Sequence, residues 1–124
     1  MNLVDSCGWI EYFSDSPNAD FYADAIEDID ELIVPTVCIA EVFKKLYITV
    51  NENSALIAIA HMRQGKTIPL TDSIALAAAT FGIDEKLPFA ESVIYATGII
   101  SKARILTQDR YFKGLEGIQF LDIS

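Results

Sequence analysis

Asn2-Leu3-Val4-Asp5-Ser6-Cys7-Gly8-Trp9-Ile10-Glu11-Tyr12-Phe13 decides the fold class, because a short apolar strand ending at Asp5 runs directly into aromatic and aliphatic residues at helical spacing. The same alternation continues outward from it. Ser14 to Asn18 is a turn cluster, and Phe21, Tyr22, Ala25, Ile26 and Ile29 recur with the period of an amphipathic helix. Leu32-Ile33-Val34, closed by Pro35, reads as a buried strand, with Thr36 placed to cap a helix running to about Val50. Asn51 to Ser54 interrupts it, and a further helix is expected from Ala55 to Gln64, ended by a left-handed Gly65. Thr67 to Leu70 reads as an edge-like strand. Thr71 caps an alanine-rich helix through Phe81 that Gly82 ends, and Pro88 opens a helix to about Lys102 with Ala90, Val93, Ile94, Thr97 and Ile100 facing inward. Arg104 to Thr107 and Gly117 to Leu121 read as the last strands. Strands alternating with helices imply an α/β fold, three layers deep, with a mostly parallel central sheet.

The 124 residues are 52% apolar and 22% charged, which suits one compact domain over 1–124. The strandless stretch at about 37–64 reads as a helical arm on it. No apolar run reaches the ~20 residues of a membrane span, and the N-terminus lacks the basic and apolar regions of a signal peptide, so a cytoplasmic location is expected. Cys7 and Cys38 sit in apolar contexts without a metal-spaced Cys or His beside them, and both are expected in the core. His61 lies among Ile57, Ile59, Ala60 and Met62 and is read as packed or exposed; Trp9, Phe13 and Phe43 are read as packing rather than base-stacking residues.

A net charge of −9 argues against a protein that holds nucleic acid mainly by long-range attraction to phosphates. It is compatible with nucleic-acid chemistry if carboxylates hold cations, or if a basic partner or rim supplies the attraction. Ligands of parallel sheets bind beyond the C-terminal strand ends, where Asp5 and Asp109 both fall. Glu41 lies one turn into the helix after the second strand, and Glu91 lies in the first turn of the helix opened by Pro88. Four carboxylates at one edge repel one another unless a divalent cation compensates them, and an oxygen-only donor set suits Mg²⁺ or Mn²⁺. Any one acid taken alone reads more simply as a solvated or dipole-stabilising residue. Asp5 and Glu41 stand apart because both are embedded in apolar segments.

Leu3-Val4-Asp5-Ser6, Ile39-Ala40-Glu41-Val42, Leu87 to Thr97 around Glu91, and Leu106-Thr107-Gln108-Asp109-Arg110-Tyr111-Phe112 resemble, in order and across the chain, the four signature segments of PIN-domain proteins. The chain's size is similar to that of the stand-alone toxins of VapC-type toxin–antitoxin pairs. That resemblance implies a PIN-like fold, an RNA-cleaving hydrolase using Mg²⁺ or Mn²⁺, and catalytic, metal-holding roles for Asp5, Glu41, Glu91 and Asp109. Ser6 and Thr107 match the supporting hydroxyls. Two positions depart from the family pattern: the third acid is usually Asp where this chain has Glu91, and Tyr111 replaces a further acid or His.

Phosphate contacts are expected from Lys44, Lys45, Arg110 and Lys113, which equally well offset neighbouring acids. The resemblance also implies a small antitoxin, whose amphipathic segment would cover the apolar arm between Val37 and Val50, with a homodimer through the same region as the related expectation. Two other functions fit less of the sequence. One is a catalytically weak PIN module that binds protein or RNA. The other is a phosphoacceptor receiver domain, which normally has adjacent acids after its first strand and a lysine after its last, whereas Asp5 stands alone here.

Overall fold

The computed structural model describes residues 1–123 and holds five strands and six α-helices in the order β1 (Asn2–Val4), α1 (Ser6–Phe13), α2 (Ala19–Glu27), β2 (Leu32–Pro35), α3 (Thr36–Thr49), α4 (Glu52–Met62), β3 (Lys66–Ile68), α5 (Asp72–Asp84), α6 (Phe89–Ile100), β4 (Arg104–Thr107) and β5 (Ile118–Phe120). The strands lie in the order β3-β2-β1-β4-β5, and every pair is parallel. The sheet is therefore wholly parallel among the described residues, where a mostly parallel one was expected. No described helix is long and apolar enough to cross a membrane.

Strand alternation explains the three layers. Leu3 pairs in register with Ile105 and Val4 with Leu106, so Leu3 and Ile105 share one face and Val4 points to the other. On the first face Gly98 of α6 comes so close that an added Cβ would lie 2.5 Å from Ile105 Cδ1. On the second, a Cβ on Gly8 of α1 would lie 2.5 Å from the Tyr22 ring of α2 and 2.7 Å from Val4 Cγ1. Two glycines thus let helices approach opposite faces of the same central strands. Helix α6 is buried through Ser92–Gly98 because α5 covers it on the outside, Ile74 and Ala78 packing on Val93 and Ala96.

The stretch from Val37 to Gln64 is a helical hairpin of α3 and α4. Its inner residues Cys38, Val42, Ala55, Ala58, Ile59 and Met62 belong to the same apolar cluster as the sheet. Several local expectations are corrected. Pro35, not Thr36, occupies the cap position of α3 and Thr36 is its first helical residue. Helix α4 begins three residues early, at Glu52, because the Asn51 side chain accepts the Ser54 N–H at 2.8 Å. Gly65 is not left-handed; it is small because a Cβ would meet Leu32 side-chain and carbonyl atoms at 3.0 Å. Gly82 does not end α5, which runs on to Asp84, and Ile100 is 47% exposed rather than packed inward.

Helix propensity and packing make opposite predictions at Gly8. Alanine is ordinarily favoured in a helix by about 1 kcal/mol, yet Gly8→Ala forces the buried Tyr22 ring aside. Urea unfolding of Gly8→Ala is expected to show a net loss of about 1–3 kcal/mol; a gain would refute the close approach of α1 and α2.

Candidate functional site

Parallel pairing of β1 with β4 brings the ends of both strands to one edge of the sheet. Asp5 follows β1 and caps α1; its Oδ1 accepts the Ser6 N–H at 2.7 Å, and its Oδ2 accepts the Thr107 hydroxyl at 2.7 Å. Thr107 is wholly buried, and its hydroxyl oxygen also accepts the Asp109 N–H at 2.9 Å. One hydroxyl therefore ties the first acid to the backbone of the fourth. The Asp109 carboxylate accepts the Tyr111 N–H at 3.0 Å and caps the short 3₁₀ turn Arg110–Phe112.

Glu41, in α3 beyond the end of β2, is joined to this pair through Ser6, whose hydroxyl donates to Glu41 Oε1 at 2.6 Å. Glu91 arrives from the other direction. Only residues 101–103 connect α6 to β4, so the chain reverses there and the first turn of α6 lies at the strands' C-terminal edge. The acids sense one another electrostatically. Burial, with Asp109's charge adding to it, pushes the Asp5 carboxyl up to about 6 against the opposing hydrogen bonds of Thr107 and Ser6. Burial and then the charges of Asp109 and Glu41 raise Glu91 as well. Among the described residues, none of the four acids takes part in a salt bridge.

The four sequence-derived acids and both supporting hydroxyls thus belong to one electrostatically coupled edge. They do not converge on a point: no three acidic, His or Cys side chains among the described residues lie close enough together to enclose an ion. The donor chemistry nevertheless fits a hard cation. Mg²⁺ commonly uses one or two carboxylates and keeps several waters, and Asp5 is a buried, charge-uncompensated carboxylate with Asp109 coupled to it.

Cys7 was missed as a member of this site. It is half-buried rather than part of the core, its Sγ 3.5 Å from Asp5 Oδ2 and 3.7 Å from Thr107 Oγ1. Burial and the nearby Asp5 push its thiol up to about 12, so it stays protonated and able to donate. Its position two residues after Asp5, inside the first turn of α1, was the available signal. Cys38 is buried as expected. The basic residues are divided: Lys44 and Lys45 are exposed on α3, Arg110 lines a depression with Asp109 and Tyr111, and Lys113 is held by Asp122 at 3.5 Å and by the Phe120 ring. His61 packs against the rings of Trp9, Tyr12 and Phe13 with centroids 5.6–6.5 Å apart, and Trp9 is fully buried.

A family model described as PIN domain matches residues 3–118. No match is found among curated proteins. Solved structures share the fold at low identity. A chain of a toxin–antitoxin complex from Klebsiella pneumoniae superposes with a TM-score of 0.79 at 19% identity, over 96% of both chains. A chain of VapBC2 from Rickettsia felis, bound to a DNA fragment from their promoter, gives 0.76 at 10% identity over 97% of this chain and 96% of that one. Mycobacterium tuberculosis VapC20, a sarcin-ricin loop cleaving toxin, gives 0.71 at 10% identity over 84% of this chain and 85% of that one.

Asp5 makes stability depend on pH in a stated direction. Its folded-state value, about 6, lies above its ordinary 3.8, so the metal-free fold binds this proton more tightly than the unfolded chain does. The resulting stabilisation is complete below about pH 4 and is lost as pH rises towards 6 and beyond. Asp5→Asn, which cannot ionise, is expected to exceed the metal-free wild type in stability at pH 7.5 by about 1–3 kcal/mol and to match it near pH 4. Equal urea midpoints at pH 7.5 would contradict a buried, uncompensated carboxylate.

Proposed function

The chain belongs to the PIN-domain family, and from that membership together with its acidic edge we propose that it is a Mg²⁺- or Mn²⁺-dependent endoribonuclease, the toxin of a toxin–antitoxin pair. The observation that carries this reading is Asp5: a buried carboxylate with donors on both oxygens, no salt-bridge partner among the described residues, and Asp109 coupled to it. Protein interiors rarely retain such a charge without a counter-ion. Membership in the family leaves the receiver-domain alternative without support, and Lys113, engaged with Asp122, does not serve the acids as that reading would need.

Asp5 and Asp109 would hold the cation, with Glu41 and Glu91 completing its surroundings directly or through water. When bound, the metal would activate water towards a phosphodiester and neutralise charge on the leaving oxygen. The chain's own work is positional. Thr107 fixes the spacing of Asp5 from the Asp109 backbone, and Ser6 aims Glu41 at the same edge. Arg110 beside Asp109, with Lys44 and Lys45 on α3, would seat phosphates on an otherwise acidic surface.

The antitoxin reading is supported by a groove of ≈ 410 Å³ between α3 and α4, lined by Ile39, Ala40, Phe43, Leu56, Ile59 and Arg63 among others. Its lining residue Ala40 directly precedes Glu41 on α3, so an amphipathic partner helix lying there could send a basic side chain towards the acidic edge. Toxin–antitoxin complexes among the similar structures favour the same partner class. Exposed Tyr47, Ile48 and Val50 on the arm give the proposed homodimer an apolar surface. The binding-module alternative is favoured by one observation, the failure of any three acids among the described residues to converge.

Labelled RNA incubated with purified protein separates the readings. Cleavage is expected with Mg²⁺ or Mn²⁺, none with EDTA, and a fall of about 100-fold or more for Asp5→Asn and Asp109→Asn. Thr107→Val, which keeps the shape but loses both hydrogen bonds, is expected to fall about 10-fold. A folded protein that binds Mn²⁺ yet cuts no RNA would favour the binding module, and one that binds no Mn²⁺ would remove the acidic site altogether.

A further inference from the structure

We propose that Tyr22, outside the acidic edge, is a positioning residue for it: its hydroxyl holds Gln108 and thereby the turn that carries Asp109. Tyr22 comes from α2, is 0% exposed, and donates from its hydroxyl to Gln108 Oε1 at 2.9 Å across 86 residues of sequence. Gln108 stands between the two residues that matter most on this strand end. Before it Thr107 donates to Asp5; after it Asp109 sends its N–H back to Thr107. The inference rests on the metal-binding reading of that edge only for its functional consequence, since the tether itself is a feature of the fold.

Packing alone does not account for the hydroxyl. Phenylalanine would fill the same space, and a buried phenol is costly unless it finds an acceptor. Gly8 is reserved to admit this ring, since any Cβ there would meet it at 2.5 Å. Burial, reinforced by the neighbouring Cys7, raises the phenol well above the ordinary tyrosine value, so it remains a donor across the working range. Its acceptor lies on a different element, in the turn between β4 and the Arg110–Phe112 helix. The Asp109 peptide is then restrained from two sides, by Thr107 on its own amide and by Tyr22 through the preceding side chain. Asp109's reach towards a cation depends on both.

Amide exchange in the metal-free protein tests the tether directly. In Tyr22→Phe and in Gln108→Leu the Asp109 and Tyr111 amides are expected to exchange about 2- to 10-fold faster, the equivalent of one neutral hydrogen bond. The Ile105 amide, bound to the Gly117 carbonyl, should keep its rate, and the double variant should be no faster than either single one. Unchanged exchange at Asp109, or equal acceleration at Ile105 from a general loss of stability, would overturn the proposal. A Mn²⁺ titration then reads the consequence, with half-saturation expected about 2- to 10-fold higher in Tyr22→Phe. Wild-type protein that takes up no Mn²⁺ would refute the metal reading, and the exchange rates would still decide the tether.

Discussion

A carboxylate almost withdrawn from water is the constraint on which this architecture turns. Asp5 stands at the end of the central strand with 4% of its surface exposed. In that position it needs donors on both oxygens and raises its affinity for a proton or a cation. The Ser6 amide comes free with the start of α1, but the Thr107 hydroxyl must be brought from the far end of the chain. Parallel pairing of β1 with β4 delivers it, and the register Val4 to Leu106 puts Thr107 level with the residue after Val4. The two tight glycines seat α6 and α1 against the same central strands, Gly98 on Ile105 and Gly8 on Val4 and Tyr22.

Most of this was legible because strands and helices with opposite periodicities alternate along the sequence. Asp5 and Asp109 could be placed at one edge from strand ends alone, and Glu41 and Glu91 from helix starts. What escaped the sequence depended on who the neighbours are. Gly65 and Gly82 look like helix terminators, yet one makes room for Leu32 and the other lies inside α5, facing Leu87 and Ser92. Asn51 was read as an interruption when it is the cap that begins α4, since its acceptor role towards Ser54 is invisible without the backbone. Cys7 looked like a small core residue because its apolar neighbours dominate the local pattern, while its contact with Thr107 spans 100 residues. Tyr22 gave no signal for the same reason.

The acidic surface and the apolar hairpin belong together. A chain of net charge −9 gains little from distant phosphates, so attraction must be local, and the basic groups nearest the acids are few and mostly exposed. The hairpin offers the opposite: an apolar groove on the helix that carries Glu41, with Arg63 in its wall. The proposed partner, an amphipathic segment carrying a basic side chain, would meet both surfaces at once.

The hydrogen bond between Thr107 and Asp5 closes a loop of 102 residues. Contacts of such separation form late, because the chain entropy they remove must be offset by packing already in place. During synthesis β1 emerges well before its partner β4, with six helices and two other strands made between them. The acidic edge therefore has no existence on a nascent chain until β4 has emerged and paired with β1.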